Sequence, residues 1–92
     1  MELKLSVDLI KHYRNFFKVL SEEEYKKNDI KKKILKLTDD KHTFYLFLNK
    51  TNERKILIYK LLNNSESIEG KTIYLKTNTF KNIEFVEIEK IE

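Results

Sequence analysis

The chain contains no cysteine, proline, tryptophan, alanine or glutamine, and it has a single glycine. Without cysteine, neither a disulfide framework nor a thiolate metal site can form. A glycine-rich phosphate-binding loop needs several glycines, so that class of nucleotide site is excluded as well. No apolar run approaches the roughly 18 residues that cross a bilayer, and the N-terminus does not resemble a signal peptide. We therefore expect a soluble, cytoplasmic protein with no cofactor and no membrane contact.

The residues that are present indicate an origin. Lys, Ile, Asn, Leu, Phe and Tyr dominate, and only two of the 19 basic residues are arginine. A strongly AT-biased coding genome produces this pattern, because the codons of Ala, Gly, Pro and most Arg are GC-rich. Low-GC bacteria, with their phages and other mobile elements, are the natural source.

Length and charge set the scale of the fold. With 92 residues, the chain has room for one domain with one hydrophobic core, which we assign to residues 1–92. Hydrophobic residues make up 40% and charged residues 37%, with a net charge of +4 and a pI of about 9.2. This composition predicts a globular, basic protein with a highly charged surface.

The first third of the sequence predicts a helical hairpin over 6–37. Apolar residues from Leu9 to Leu20 follow the spacing of one helix face, with Ser6 as N-cap and Asp8 in the first turn. Residues 2–7 alternate apolar and polar, which also fits a short leading strand. Ser21 and Glu24 match a capping box, so the second helix is predicted from Glu22 to Leu37.

The rest of the chain predicts a sheet over 42–91. Four segments rich in aromatic and β-branched residues are separated by short polar turns, at 42–49, 54–62, 71–77 and 83–91. Short connections join antiparallel neighbours. The predicted fold class is therefore α+β, with two N-terminal helices packed on one face of a four-stranded antiparallel meander. A change of phase between Phe85 and Val86 predicts a bulge in the last strand.

One face of this predicted sheet is too apolar to be left in water. An exposed apolar face of this size is typical of a protein interface, either a homodimer or a docking site for another protein. Phe80, in the turn before the last strand, is a separate candidate anchor. Alternatively, the chain's own N-terminal segment or C-terminal tail crosses the face. The candidate interface residues are Tyr45, Phe47, Tyr59, Tyr74 and Phe80.

A second candidate surface is the predicted second helix, which between Lys26 and Lys36 carries six lysines against one acid, Asp29. Such a ridge could contact phosphates or an acidic protein, or it could be a solvated helix face. Aromatic residues on a sheet near lysines are also how several single-strand binders stack bases. The candidate nucleic-acid or acidic-partner residues are Lys26, Lys27, Lys31, Lys32, Lys33 and Lys36.

Catalytic and metal sites are not indicated. His12 and His42 are the only histidines, and neither has a partner at metal-ligand spacing. Size, basicity and two helices before an antiparallel sheet resemble the small ribonuclease toxins of bacterial toxin–antitoxin pairs. That resemblance implies cleavage of messenger RNA by Arg, Lys, Tyr or His side chains on the sheet. Arg54 is the only arginine in a predicted strand, and no motif of that family is present.

These observations favour a non-enzymatic binding protein from a phage or mobile element. It would act as a stoichiometric inhibitor or adaptor that occupies a surface of a host protein or nucleoprotein complex, such as a defence nuclease. The alternatives are a nucleic-acid-binding module that uses the lysine-rich second helix and a ribonuclease toxin.

Overall fold

A computed structural model describes residues 2–92. It contains one six-stranded sheet and two helices, and both helices contribute to a single core. The elements are β1 (Glu2–Lys4), α1 (Val7–His12), β2 (Phe16–Lys27), β3 (Ile30–Thr38), β4 (Thr43–Phe47), α2 (Lys50–Leu62), β5 (Thr72–Phe80) and β6 (Ile83–Ile91).

The predicted fold class is wrong in its arrangement of helices and strands. The structure has no N-terminal helix pair over a four-stranded meander. Instead, the strands form one mixed sheet, a half-barrel, in the order β1-β4-β3-β2-β5-β6. All neighbouring strands are antiparallel except β1 and β4, which are parallel. The short leading strand is confirmed as β1, which pairs at the edge of the sheet instead of crossing a face.

The N-terminal helix is only partly as predicted. It begins as expected, because the Ser6 side chain accepts a hydrogen bond from the Leu9 amide and Asp8 lies in the first turn. It ends at His12, however, and Phe16 begins a strand. The apolar residues from Phe16 to Val19 alternate in burial along β2, which is the period of a strand and not of a helix.

The predicted second helix is a β-hairpin. Asn28 and Asp29 both have positive φ, at 50° and 65°, and form the two-residue turn between β2 and β3. This turn has the twist that antiparallel strands require, and Asn and Asp tolerate it well. Ser21 is therefore not a helix cap, and its hydroxyl donates to the Glu23 carboxylate over 2.7 Å. Leu20 is the extra residue at a bulge, where the register with β3 shifts.

The segment predicted as a strand over 54–62 is helical. The Asn49 side chain caps α2 by accepting a hydrogen bond from the Asn52 amide. Asn52, Ile56 and Tyr59 follow at helical spacing and face the core. The other three predicted strands are confirmed as β4, β5 and β6.

The core lies between the concave face of the sheet and the two helices. Phe17, Leu35, Leu37 and Phe44 are each at most 1% exposed, and Ile10 of α1 and Ile56 of α2 pack in the same cluster. Because strand residues alternate between faces, burying this set leaves the intervening residues on the convex face. In the described residues, no helix is long and apolar enough to span a bilayer.

The outer edge of β6 is closed by α2. The Asn52 side-chain amide donates to the Val86 carbonyl over 3.0 Å, and its oxygen accepts from the Ile88 amide over 2.9 Å. Lys55 donates to the Ile88 carbonyl. These bonds satisfy backbone groups that an edge strand would otherwise leave open. The last strand does contain a bulge, at Glu89, which has no partner in β5. The predicted position is wrong, because the register with β5 is continuous across Phe85 and Val86.

Candidate binding site on the convex sheet face

The convex face of the sheet is open, because both helices pack against the opposite side. Tyr45 and Phe47 alternate along β4 with the buried Phe44 and Leu46, so they lie on this open face as expected. No other part of the described chain crosses it, and β1 continues the sheet instead of covering it. The alternative in which the N-terminal segment or the C-terminal tail closes the face is therefore wrong for residues 2–92.

Tyr25, Tyr45 and Phe47 form an aromatic group, here called the Phe47 cluster. The rings of Tyr45 and Phe47 meet edge to face, with centroids 5.6 Å apart and an angle of 87° between the planes. Tyr25 and Phe47 are 45% and 38% exposed. The three residues and Ile34 line a shallow groove of about 270 Å³. The cluster therefore offers several exposed ring surfaces within one groove.

Lysines lie among these rings. The Lys4 ammonium is 5.7 Å from the centroid of the Phe47 ring, and the Lys32 ammonium is 6.0 Å from it. Both distances are within the range of cation–π attraction. Lys36 is directly opposite Tyr45 in the register of β3 and β4. Aromatic and basic side chains therefore alternate on one surface.

Five of the six candidate lysines lie in the end of the β2–β3 hairpin, residues 24–33, here called the basic ribbon. The register of β5 with β2 covers only Phe16 to Lys18, and β4 pairs with β3 from Ile34 onward, so the ribbon extends past its neighbours. None of the five forms an ion pair within the described chain. They are Lys26, Lys27, Lys31, Lys32 and Lys33. The expectation that they lie on a helix is wrong. The hairpin places Lys27 and Lys32 on the convex face beside the Phe47 cluster, whereas Lys26, Lys31 and Lys33 have the parity of the buried Leu35 and lie on the opposite face of the ribbon.

The sixth lysine pairs with two acids of this face. The Lys36 ammonium is 2.6 Å from the Glu2 carboxylate and 3.7 Å from that of Glu23. The hydrogen bond to Glu2 raises the pKa of Lys36, with a further contribution from Glu23. These two carboxylates and one ammonium keep one negative charge, which Lys4 and Lys32 beside the Phe47 ring outweigh.

Tyr74 lies on the same face but belongs to a different group. Its ring is 6.0 Å from that of Phe16, with which it pairs between β5 and β2. The Arg14 guanidinium lies 4.5 Å from the Phe16 ring, and the Lys90 ammonium lies 4.6 Å from the Tyr74 ring. A hydrogen bond to Glu92 raises the pKa of Lys90. This pair, here called the Phe16 cluster, is a second place where rings and cations meet.

Two predicted interface residues lie elsewhere. Tyr59 is on α2 and packs partly buried against the core, so it is not part of the open sheet face. Phe80 ends β5 at the turn to β6 and is 65% exposed, beside Ile83 at 69%. Phe80 is therefore exposed as a separate anchor would be, and it does not fold back over the sheet.

Near the β3–β4 turn, the half-exposed side chains of Tyr13 and His42 surround the buried carboxylate of Asp39. The Asp39 side chain is fully buried, and it accepts hydrogen bonds from the Tyr13 hydroxyl, the His42 ring at 3.1 Å and the amides of Lys41 and His42. Burial alone would raise the pKa of Asp39, but these hydrogen bonds outweigh it and hold that pKa well below its usual value. The same bond raises the pKa of Tyr13. The cluster ties the end of α1 to the sheet.

Arg54 is on the exposed side of α2 and not on a strand, which removes it from the sheet position that the toxin resemblance implies. Among residues 2–92, no three His, Asp or Glu side chains are grouped so that they could hold a metal ion. No protein-family model, curated protein or solved structure matches this chain.

The prediction missed Tyr25, Lys4 and Phe16 as members of the open face. Tyr25 and Phe16 had been assigned to helices, so their side of the sheet could not be deduced. One sequence signal was available: Asn28-Asp29 is a residue pair that tolerates the two-residue hairpin turn, and Leu35, Lys36 and Leu37 after it alternate between apolar and polar.

Proposed function

We propose that this protein is a non-enzymatic binding protein and that its convex face holds a single-stranded nucleic acid. The observation that carries the proposal is the position of two ammonium groups, on Lys4 and Lys32, within about 6 Å of the exposed Phe47 ring. Exposed rings can stack on bases, while lysines beside them contact the phosphates of the same strand. Tyr25 and Tyr45 extend the ring surface along the groove.

Charge supports a polyanionic ligand over a neutral protein surface. The basic ribbon carries five lysines against two acids, Glu24 and Asp29. Lys27 and Lys32 lie on the convex face of the ribbon, and neither has an ion-pair partner in residues 2–92. A bound phosphate backbone would pair with these ammonium groups, whereas an apolar partner would bury them without a counter-charge.

Binding of an oligonucleotide tests the proposal. We expect a single strand of about 12 nucleotides to bind more tightly than its duplex, because stacking requires exposed base faces. The logarithm of the affinity should fall with the logarithm of salt concentration with a slope of about −2 to −4, as expected for three to five phosphate contacts. Fluorescence anisotropy with a labelled strand measures both quantities.

A matched pair of variants locates the binding surface. Phe47→Leu should weaken binding by about fivefold to a hundredfold, since one stacking contact contributes about 1–3 kcal/mol. Phe80→Leu makes the same chemical change at an exposed ring outside the face and should leave the affinity unchanged. Equal effects of the two variants, or no binding by the native protein, would contradict the proposal. A self-associated species that Phe47→Leu dissociates would instead identify the face as a homodimer interface.

A second candidate function rests on the β5–β6 turn. Phe80 and Ile83 are the two exposed apolar residues there, and they line a groove of about 530 Å³ that reaches Lys50 at the start of α2. This site suits a protein partner, and it supports the hypothesis of a stoichiometric inhibitor or adaptor. A protein retained from a low-GC bacterial lysate by the native chain and by Phe47→Leu, but lost with Phe80→Ser plus Ile83→Ser, would favour it.

The biological setting is part of the proposal. The lysine-rich, alanine-free composition supports a phage or mobile-element gene in a low-GC bacterium, and the protein would then act in the host cytoplasm. The ribonuclease hypothesis stays a prediction, and because Arg54 lies on α2, His42 next to β4 is the candidate to test. Growth arrest on expression that is abolished by His42→Ala, with the fold retained, would support it.

A further inference from the structure

A cleft at the edge of the convex face is lined by its own set of basic, aromatic and apolar residues. It has a volume of about 750 Å³, within the range of small-molecule sites. Its walls come from the end of β1, the basic ribbon, the end of β4 and the start of β6. Leu5, Leu46 and Val86 form its floor, and all three belong to the core. The cleft is thus a recess beside the Phe47 cluster.

Three lysines and two aromatic rings line this recess. Lys4, Lys27 and Lys32 come from two separate parts of the sheet, and none of them has an ion-pair partner in residues 2–92. The rings are those of Tyr25 and Phe47. Exposed rings accept a planar heterocycle, and unpaired ammonium groups accept an anion.

The charge of the recess distinguishes between kinds of anion. Glu84 is the one acid in its lining, and its carboxylate is 2.5 Å from the Lys11 ammonium. The three lysines therefore face the recess with no acid free to neutralise them. A phosphodiester within a strand carries one negative charge, whereas a phosphate monoester carries about −1.5 to −2 at pH 7. Three ammonium groups around one recess match the monoester better.

We propose that this cleft binds a nucleotide bearing a phosphate monoester, with the base against Tyr25 and Phe47 and the phosphate among Lys4, Lys27 and Lys32. The inference rests on the proposed function in one respect, because the end of a bound strand is one source of such a nucleotide. A free mononucleotide is the other source and has the same chemistry. Binding there would seat the ligand at the edge of the face that holds the strand.

Calorimetric titration of the full chain separates the outcomes. The probes are one oligonucleotide in three forms, with a 5′-phosphate, a 3′-phosphate or neither, together with a nucleoside monophosphate and inorganic phosphate. We expect at least one phosphorylated form to bind about tenfold more tightly than the unphosphorylated form, as a charge-assisted contact of this kind provides. Inorganic phosphate should bind more weakly than the nucleoside monophosphate, because it lacks the base.

Matched triple variants assign the effect to the cleft. Lys4→Gln, Lys27→Gln and Lys32→Gln together should remove the tenfold preference. Lys41→Gln, Lys71→Gln and Lys81→Gln remove the same charge from exposed positions outside the cleft and should keep it. Circular dichroism checks that both variants fold. The measured quantity is the ratio of the affinities for the phosphorylated and the unphosphorylated strand. A general loss of positive charge weakens both affinities and therefore does not remove the preference.

Each remaining outcome of the titration decides between cleft binding and strand binding. Equal binding of all three oligonucleotides, with no binding of the monophosphate, overturns the cleft assignment while leaving strand binding on the convex face intact. Binding of the monophosphate without any oligonucleotide supports the cleft and contradicts the proposed function. A preference that survives in the cleft variant, or inorganic phosphate that matches the monophosphate, overturns the inference.

Discussion

Phe44 and Phe47 lie three residues apart in β4, yet the first is 1% exposed and the second 38%. On the concave side, Phe44 meets Phe17 edge to face at 5.1 Å and packs within the core. On the convex side, Phe47 has Lys4 and Lys32 for neighbours. The same residue type therefore stabilises the fold on one face and is available for a ligand on the other. The two faces can be tested separately.

The largest expected effect is on the concave face. Phe44→Ala should lower the free energy of unfolding by about 3–5 kcal/mol, because it leaves a cavity among fully buried side chains. Phe47→Ala should lower it by about 1 kcal/mol or less, since its ring already contacts water. Urea unfolding of both variants measures the difference. Similar losses would mean that the convex face is covered in solution.

The next largest effect is on ligand binding to the convex side. Lys4→Glu, Lys27→Glu and Lys32→Glu together should reduce single-strand affinity by about a hundredfold or more, because attraction becomes repulsion at three positions on the convex side. The fold should survive, since none of the three lysines forms an ion pair in residues 2–92. Lys41→Glu, Lys71→Glu and Lys81→Glu serve as the control with the same net charge. A loss of affinity as large in this control would point to charge alone.

The fold was predictable where local signals and tertiary structure agree. The Ser6 cap, the leading strand and three of the four predicted strands are present, because each is defined by alternation or capping within a few residues. The prediction of a helix over 22–37 is wrong because Ser21 and Glu24 match the pattern of a capping box, and because lysines are compatible with either a helix or a strand. Its true period is visible in Leu35 and Leu37, which alternate, together with the turn at Asn28.

Long-range contacts account for the other errors. The segment 54–62 contains Ile56, Ile58 and Tyr59, which favour strands, but Asn52 bonds the edge of β6 only when this segment is a helix. No local sequence pattern predicts that contact, because Val86 and Ile88 are more than 30 residues from Asn52 along the chain. The binding face was half predictable: Tyr45 and Phe47 were identified, whereas their proximity to the ribbon lysines depends on the hairpin.

A third test, with an effect of intermediate size, concerns the hydrogen bonds between α2 and the outer edge of β6. Asn52→Ala should lower the free energy of unfolding by about 2–3 kcal/mol, because it leaves the Val86 carbonyl and the Ile88 amide buried without partners. Asn63→Ala removes a side-chain amide at the exposed end of α2, where φ is −103°, and should cost much less. Thermal unfolding monitored by circular dichroism measures both. Single-strand affinity should change in neither variant, because both sites lie away from the convex face.

The smallest effect on stability is expected near the β3–β4 turn, where Asp39 bonds the end of α1 to the sheet. Asp39→Asn should lower the free energy of unfolding by about 1–2 kcal/mol at neutral pH, because the amide replaces a charged acceptor. The pKa of Asp39 is lower in the folded than in the unfolded chain, so its stabilisation is present above the unfolded value of 3.8. It is lost as the pH falls below that value. Urea unfolding across pH should find the native protein and the variant converging in acid, and a constant gap would contradict the assignment.

We propose that the convex face, and not the rest of the surface, holds a single strand. Nuclear magnetic resonance of the ¹⁵N-labelled protein, titrated with an unphosphorylated oligonucleotide, tests it residue by residue. We expect the largest amide shifts in the basic ribbon and at Lys4, Tyr45 and Phe47. The amide signals of α2 and of the β5–β6 turn should stay unchanged. Shifts confined to α2 and the region of Phe80, or no shifts at all, would contradict it.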